Sequence, residues 1–113
     1  MRDTSGVHYS GPTPFHGRVV WLTSSQGGRD TGPPPTPTGE VYIANAYVPP
    51  HSFETGLAGF VVRAEDPTAW LSVADASWSI VKNRGAQRVR PGTLLAIAEG
   101  RRVVGYFHVN SVD

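Results

Sequence analysis

Two short segments carry the side chains best suited to chemistry at a surface. They are Gln26-Gly27-Gly28-Arg29-Asp30-Thr31 and Glu99-Gly100-Arg101-Arg102-Val103-Val104-Gly105. Each sets arginine beside glycine. The guanidinium is a planar, permanently charged fork that fits phosphate or carboxylate oxygens. Glycine lets a ligand backbone approach closely, or supplies the positive φ of a tight turn. The chemistry is therefore anion recognition, or pairing of the arginines with a nearby carboxylate such as Glu99 or Asp30. Arg18 is a further cation that could join the first group. Lys82, Arg84, Arg88 and Arg90 form a second basic cluster, which either extends such a surface or is a solvated turn.

Other chemistries find less support. The histidines, His8, His16, His51 and His108, include no two at metal-ligand spacing, so no zinc site is expected. The chain has no cysteine, which excludes disulfides, thiolate metal sites and a cysteine nucleophile. Ser24, Ser25, Asp66 and Asp75 read as turn residues. No phosphate-binding loop of the form Gly-x-x-x-x-Gly-Lys-Ser/Thr occurs. The expectation is a non-enzymatic protein without cofactor or metal.

The elements that must position these groups are strands. Glycine and proline number 13 and 10, and they punctuate short apolar runs, the pattern of an all-β domain with frequent turns. Strands are expected over 15–24, 40–48, 57–64, 70–73, 76–82, 89–98 and 102–112. In the first, Phe15, Val19 and Trp21 share a face; in the last, Val103, Phe107 and Val109 do, with Gly105 where a Cβ would not fit. Trp21 and Trp78 read as core and Trp70 as partly exposed. The turns are Asp66-Pro67-Thr68, Asn83-Arg84-Gly85 and Pro91-Gly92. Pro33-Pro34-Pro35-Thr36-Pro37 reads as a stiff surface loop. No segment holds a helical period over ten residues. The predicted architecture is a single antiparallel β-barrel of about six strands over 15–113, preceded by a flexible arm over 1–14.

Bulk properties limit the partners. The chain has 113 residues, one domain's worth, with 39% hydrophobic and 17% charged residues. The net charge of +1 provides no global field toward nucleic acid or acidic lipid, so no DNA partner is expected and RNA contact would need a local patch. No apolar run reaches membrane-spanning length. Residues Met1 to Gly6 lack the apolar stretch of a signal peptide, and a cytoplasmic location is the expectation.

At both ends of this barrel the chain resembles the C-terminal β-barrel domain of the elongation factor Tu family. In that domain the first strand runs into an acidic-Gly-Gly-Arg-x-Thr turn, which here reads Gln26 to Thr31. Its last hairpin reads roughly Phe-Ala-Ile-Arg-Glu-Gly-Gly-Arg-Thr-Val-Gly, and here Leu95 to Gly105 follows the same course with Arg101 at the second glycine. The family's Gly-Tyr-Arg-Pro-Gln-Phe segment is absent, and residues 45–90 match poorly. The GTPase domain is missing. The resemblance implies contact with the T-arm of tRNA, or with a translation-related protein, through Arg29, Glu99, Gly100 and Arg102, with Arg101 beside them.

Two functions follow. In the first, the Gly-Arg turns bind RNA, and Arg29, Arg101 and Arg102 converge on one face without carboxylate partners. In the second, the barrel is a protein-interaction domain with an unrelated partner, and it exposes an apolar patch of several hundred Å2. A ligand-binding or hydrolytic barrel would instead need a deep pocket with convergent polar groups.

Overall fold

The structure is a computed structural model that describes residues 9, 11–30, 32–36, 40–54, 56–79 and 88–113. Six strands form a closed barrel: β1 (Phe15–Trp21), β2 (Tyr42–Tyr47), β3 (Ala58–Ala64), β4 (Leu71–Trp78), β5 (Leu94–Glu99) and β6 (Arg102–Val112). Around the barrel the order is β1-β4-β3-β2-β5-β6. Every neighbouring pair is antiparallel. The helical structure among the described residues is a single 3-10 turn, Ser24–Gln26. The expected all-β barrel of about six strands is thus the observed fold.

Aromatic rings fill the interior. Phe60 is fully buried and lies edge-on to Trp78 at 5.4 Å and to Phe107 at 5.9 Å, with Phe15 stacked at 6.4 Å. Trp21 meets Tyr42 edge-on at 5.4 Å. Such contacts add packing energy beyond the burial of apolar area itself. Trp21 and Trp78 are core residues, as their strand positions predict, and Trp70 is exposed.

The crowded interior dictates the composition of β4. Its first three inward residues, Ser72, Ala74 and Ala76, are small and buried, ahead of the inward Trp78. They pair with Val19, Gly17 and Phe15 of β1. Close packing at crystal-like density leaves no volume for larger side chains on the wall that faces this many rings. Alternation then sends Leu71 and Val73 outward, where they are 55% and 58% exposed.

Two expectations change. The strands predicted separately at 70–73 and 76–82 are one strand, β4, because Ala74 and Asp75 continue the pairing with Gly17 and His16 on one side and with Ala64 and Arg63 on the other. Residues 80–82 and the Asn83-Arg84-Gly85 turn lie outside the described residues, as do Lys82 of the second basic cluster and Pro37 of the proline run. Val104, not Val103, belongs to the core with Phe107 and Val109. The cause is a bulge: Ile97 pairs with Gly105 while Ala98 pairs with Val103, so Val104 is the extra residue, turned inward. Gly105 does face a crowded spot, since a Cβ there would come within 2.7 Å of the Trp21 ring. Of the predicted arm over 1–14, residues 1–8 and 10 lie outside the described residues, and two of the others bond to the barrel. The Tyr9 carbonyl accepts a hydrogen bond from Arg63 at 2.9 Å, and the Pro14 carbonyl accepts one from the Asp113 amide at 2.9 Å.

One barrel end gathers the end of β1, the starts of β2, β4 and β6, and the ends of β3 and β5. Pro34 is buried there. With Trp21, Thr36, Tyr42, Val62, Ala64 and Pro67 it surrounds a cavity of about 10 Å3, room for one water at most. The stiff proline segment therefore serves as a plug for this end.

Candidate functional site

Both Gly-Arg turns lie at the plugged end. The first follows β1: the 3-10 turn closes with Gly27 at φ 89°, and the Gly28 amide donates to the Thr23 carbonyl at 2.8 Å. A Cβ on Gly28 would collide with the Leu22 carbonyl, so glycine is required for the chain to fold back on itself. The second turn is the β5–β6 hairpin, with Gly100 at φ 61°. These glycines have structural work at both turns.

The arginines are engaged as well. Arg29 Nη1 donates to Glu99 Oε2 at 2.5 Å, and its Nε donates to the Gly32 carbonyl at 3.1 Å. The Tyr42 hydroxyl donates to the same Glu99 oxygen. Burial, and then the Glu99 carboxylate, push the Tyr42 phenol far above its ordinary range, so it stays a neutral donor. The Arg29 and Glu99 side chains are 22% and 34% exposed. One carboxylate thus locks three elements together: the first turn, the start of β2 and the end of β5.

Arg101 pairs with Glu54 at 3.1 Å and lies over the Phe53 ring at 5.6 Å. Arg101 holds the Glu54 carboxyl below its usual range, with help from Ser52. Phe53 also packs edge-on to Tyr47 at 5.4 Å. The β2–β3 connection leaves the opposite end of the barrel, so these contacts bring it back along the outside. Ala96 and Ala98 are buried although they alternate with the inward Leu95 and Ile97. Arg102 differs from the other two. It is exposed, reaches only the Gly28 carbonyl at 3.4 Å, and makes no ion pair among the described residues.

The structure therefore brings Arg29, Glu99, Gly100, Arg101 and Arg102 to one end, and it supplies carboxylates to two of the three arginines. Tyr42 and Glu54 were not among the predicted site residues. Their partners are 57 and 47 positions away, and no local spacing announces such pairs.

A second candidate surface lies on the side of the barrel. Val20 pairs with Leu71, and Arg18 with Val73. Val20, Leu71 and Val73 all point outward and are 39%, 55% and 58% exposed, a patch of roughly 300 Å2, the size at which such patches are often functional. The exposed Trp70 continues it toward the plugged end, where its ring approaches Gly32. Tyr106, half-buried, flanks Val20 on β6, and His108 flanks Arg18.

Fold and surfaces together define a small closed antiparallel barrel whose Gly-Arg end is braced by its own carboxylates and whose flank is apolar. Compared with known proteins, the chain matches no family model, no curated protein and no solved structure. The resemblance to elongation factor Tu rests on the two motifs alone. No helix among the described residues is long and apolar enough to cross a membrane.

Proposed function

We propose that this protein is a protein-interaction module, non-enzymatic, that meets its partner through the outer face of β1 and β4. The observation that carries this reading is the inside-out composition of the first part of β4, residues 71–76, with Ser72, Ala74 and Ala76 buried while Leu71 and Val73 stand in solvent. Small residues inside follow from the ring-filled core. Large aliphatics outside do not, because polar residues would serve a solvated face equally well. A partner explains them. Trp, Tyr and Arg dominate the energetics of interfaces, and Trp70, Tyr106 and Arg18 surround the patch. The test is a photo-crosslinking residue at Leu71, used in the cells that make the protein, with the same residue at exposed Asn110 as control. An adduct from Leu71 and none from Asn110 supports the reading; no adduct from Leu71 overturns it.

A second reading, contact with RNA or a translation-related protein through the Gly-Arg turns, has one observation in its favour: Arg102 is exposed and free of carboxylates among the described residues. Titration with bulk tRNA at low and moderate salt tests it. Salt-dependent binding lost in Arg102→Ala supports RNA contact, and absence of binding at low salt removes it.

A further inference from the structure

We infer that the partner on this face is a second copy of the same chain, docked about a two-fold axis that runs along β4; this rests on the interaction reading above. The argument comes from one row of outward residues across the barrel. Val73 pairs with Arg18 on β1, and Arg18 pairs with His108 on β6. On the other side of Val73, the Glu65 amide donates to the Val73 carbonyl at 2.8 Å. Continuing the pairing of Ala64 with Ala74 places Glu65 in the same row. The sequence of the row is thus Glu65, Val73, Arg18, His108: an acid and a base on either side of an exposed aliphatic residue.

Neighbouring strands lie about 4.8 Å apart, so Glu65 and Arg18 stand roughly 10 Å from each other. Neither makes an ion pair among the described residues. A two-fold axis lying along β4 in the plane of contact exchanges the two sides of that strand. It stacks Val73 and Leu71 of one copy on the same residues of the other. It also carries Glu65 of each copy over Arg18 of the other. Both unpaired charges are satisfied at once, and the apolar seam closes between two symmetric ion pairs. A closed isologous contact of this kind needs one self-complementary patch, and this row is self-complementary in charge. Of the charged groups beside the seam, Asp75 of β4 comes opposite its own copy across the axis, and its charge is offset by the pair with His16 at 2.7 Å; Arg63 donates to the Tyr9 carbonyl, His108 lies beyond Arg18, and Asp66 is occupied by the Thr68 amide and hydroxyl.

The barrel wall is convex, so contact is confined to β4 and its flanks. The total buried area falls at or below about 1,200 Å2, the size of weak, reversible complexes. A dissociation constant on the order of 10–100 μM is expected.

Sedimentation of the full chain, over roughly a hundredfold range of concentration reaching about 1 mM, tests the proposal. The expected result is reversible dimerisation that Val73→Glu abolishes. Arg18→Glu and Glu65→Arg should each weaken it at least about tenfold, and the double exchange Arg18→Glu/Glu65→Arg should restore it to within a few-fold of the parent, since each interfacial charge pair contributes on this scale. The three side chains are exposed, and recovery in the double exchange is itself proof that the variants fold. A monomer at about 1 mM, a dimer indifferent to Val73→Glu, or a double exchange no better than its singles would overturn the proposal. The Leu71 crosslink separates the two levels. An adduct of twice the chain mass supports the second copy. An adduct with a different protein overturns the second copy and leaves the interaction face standing. No adduct overturns both.

Discussion

Replacing Glu99 by alanine removes the acceptor shared by Arg29 and Tyr42, and the structure sets the size of the effect. Exposed ion pairs contribute about 0–1 kcal/mol, whereas breaking a fully buried pair costs about 3–5 kcal/mol. Arg29 and Glu99, at 22% and 34% exposure, sit between these limits. The Tyr42 hydroxyl, half-buried beside Trp21, also loses its partner. The stranded groups together bring the expected loss to about 2 kcal/mol, with Tyr42→Phe alone costing about 1 kcal/mol because the Arg29 pair survives. For a domain of this size, about 2 kcal/mol lowers Tm by roughly 10 °C. Urea unfolding of Glu99→Ala, Arg29→Ala and the double variant forms a cycle, and the double should be less destabilised than the sum of the singles by about 1–2 kcal/mol. A Glu99→Ala protein within about 0.5 kcal/mol of the parent, the scatter of ordinary surface changes, together with a coupling near zero, would refute the claim that this carboxylate braces the plugged end. The Gly-Arg turns would then be free to act on a ligand.

His16 donates through Nδ1 to Asp75 at 2.7 Å and through Nε2 to Asp113 at 2.9 Å, which requires the doubly protonated ring; Asp113 first and Asp75 second raise its pKa. Its stabilising contribution is therefore complete below about pH 6.5 and is lost as pH rises through the raised native value, so His16→Gln should flatten the stability profile across that window in pH-dependent urea melts. Gly28→Ala should cost about 1–3 kcal/mol, since its Cβ meets backbone that can yield only by reopening the turn, and thermal unfolding reads it. Ala74→Leu should destabilise by a similar amount, about 1–3 kcal/mol, by overfilling the wall opposite the rings, whereas Leu71→Ser on the other face of the same strand should be nearly silent in monomer stability, within about 0.5 kcal/mol.

The strand count and the closed barrel were legible because turn residues break the chain into short runs whose apolar residues alternate. Phe15, Val19 and Trp21 alternate on β1, and Trp78, Phe107 and the crowded Gly105 fall where their runs place them. Two features resisted for physical reasons. The bulge that substitutes Val104 for Val103 leaves no local signal, since Arg102-Val103-Val104-Gly105 reads equally well in either register. Over the first six residues of β4, 71–76, the usual rule, large apolar residues inside, points the wrong way, because it takes the filled interior of the barrel to know that Ser72, Ala74 and Ala76 are the ones that fit. At the Gly-Arg end the positions of the arginines could be read, but not their state. Whether Arg29 awaits a phosphate or already holds a carboxylate depends on Glu99 and Tyr42 arriving from distant strands.

The hydrogen bond between the Asp113 amide and the Pro14 carbonyl brings both limits of the barrel to one point, at the end opposite the Gly-Arg turns. In engineering terms the barrel is a bead with a single stem. A short linker from 113 to 14 would leave every strand pairing intact, and new ends could be opened in the exposed Pro91-Gly92 turn. The same geometry lets the whole unit be spliced into a loop of a host protein, with the plugged end and the β4 face both pointing away from the host.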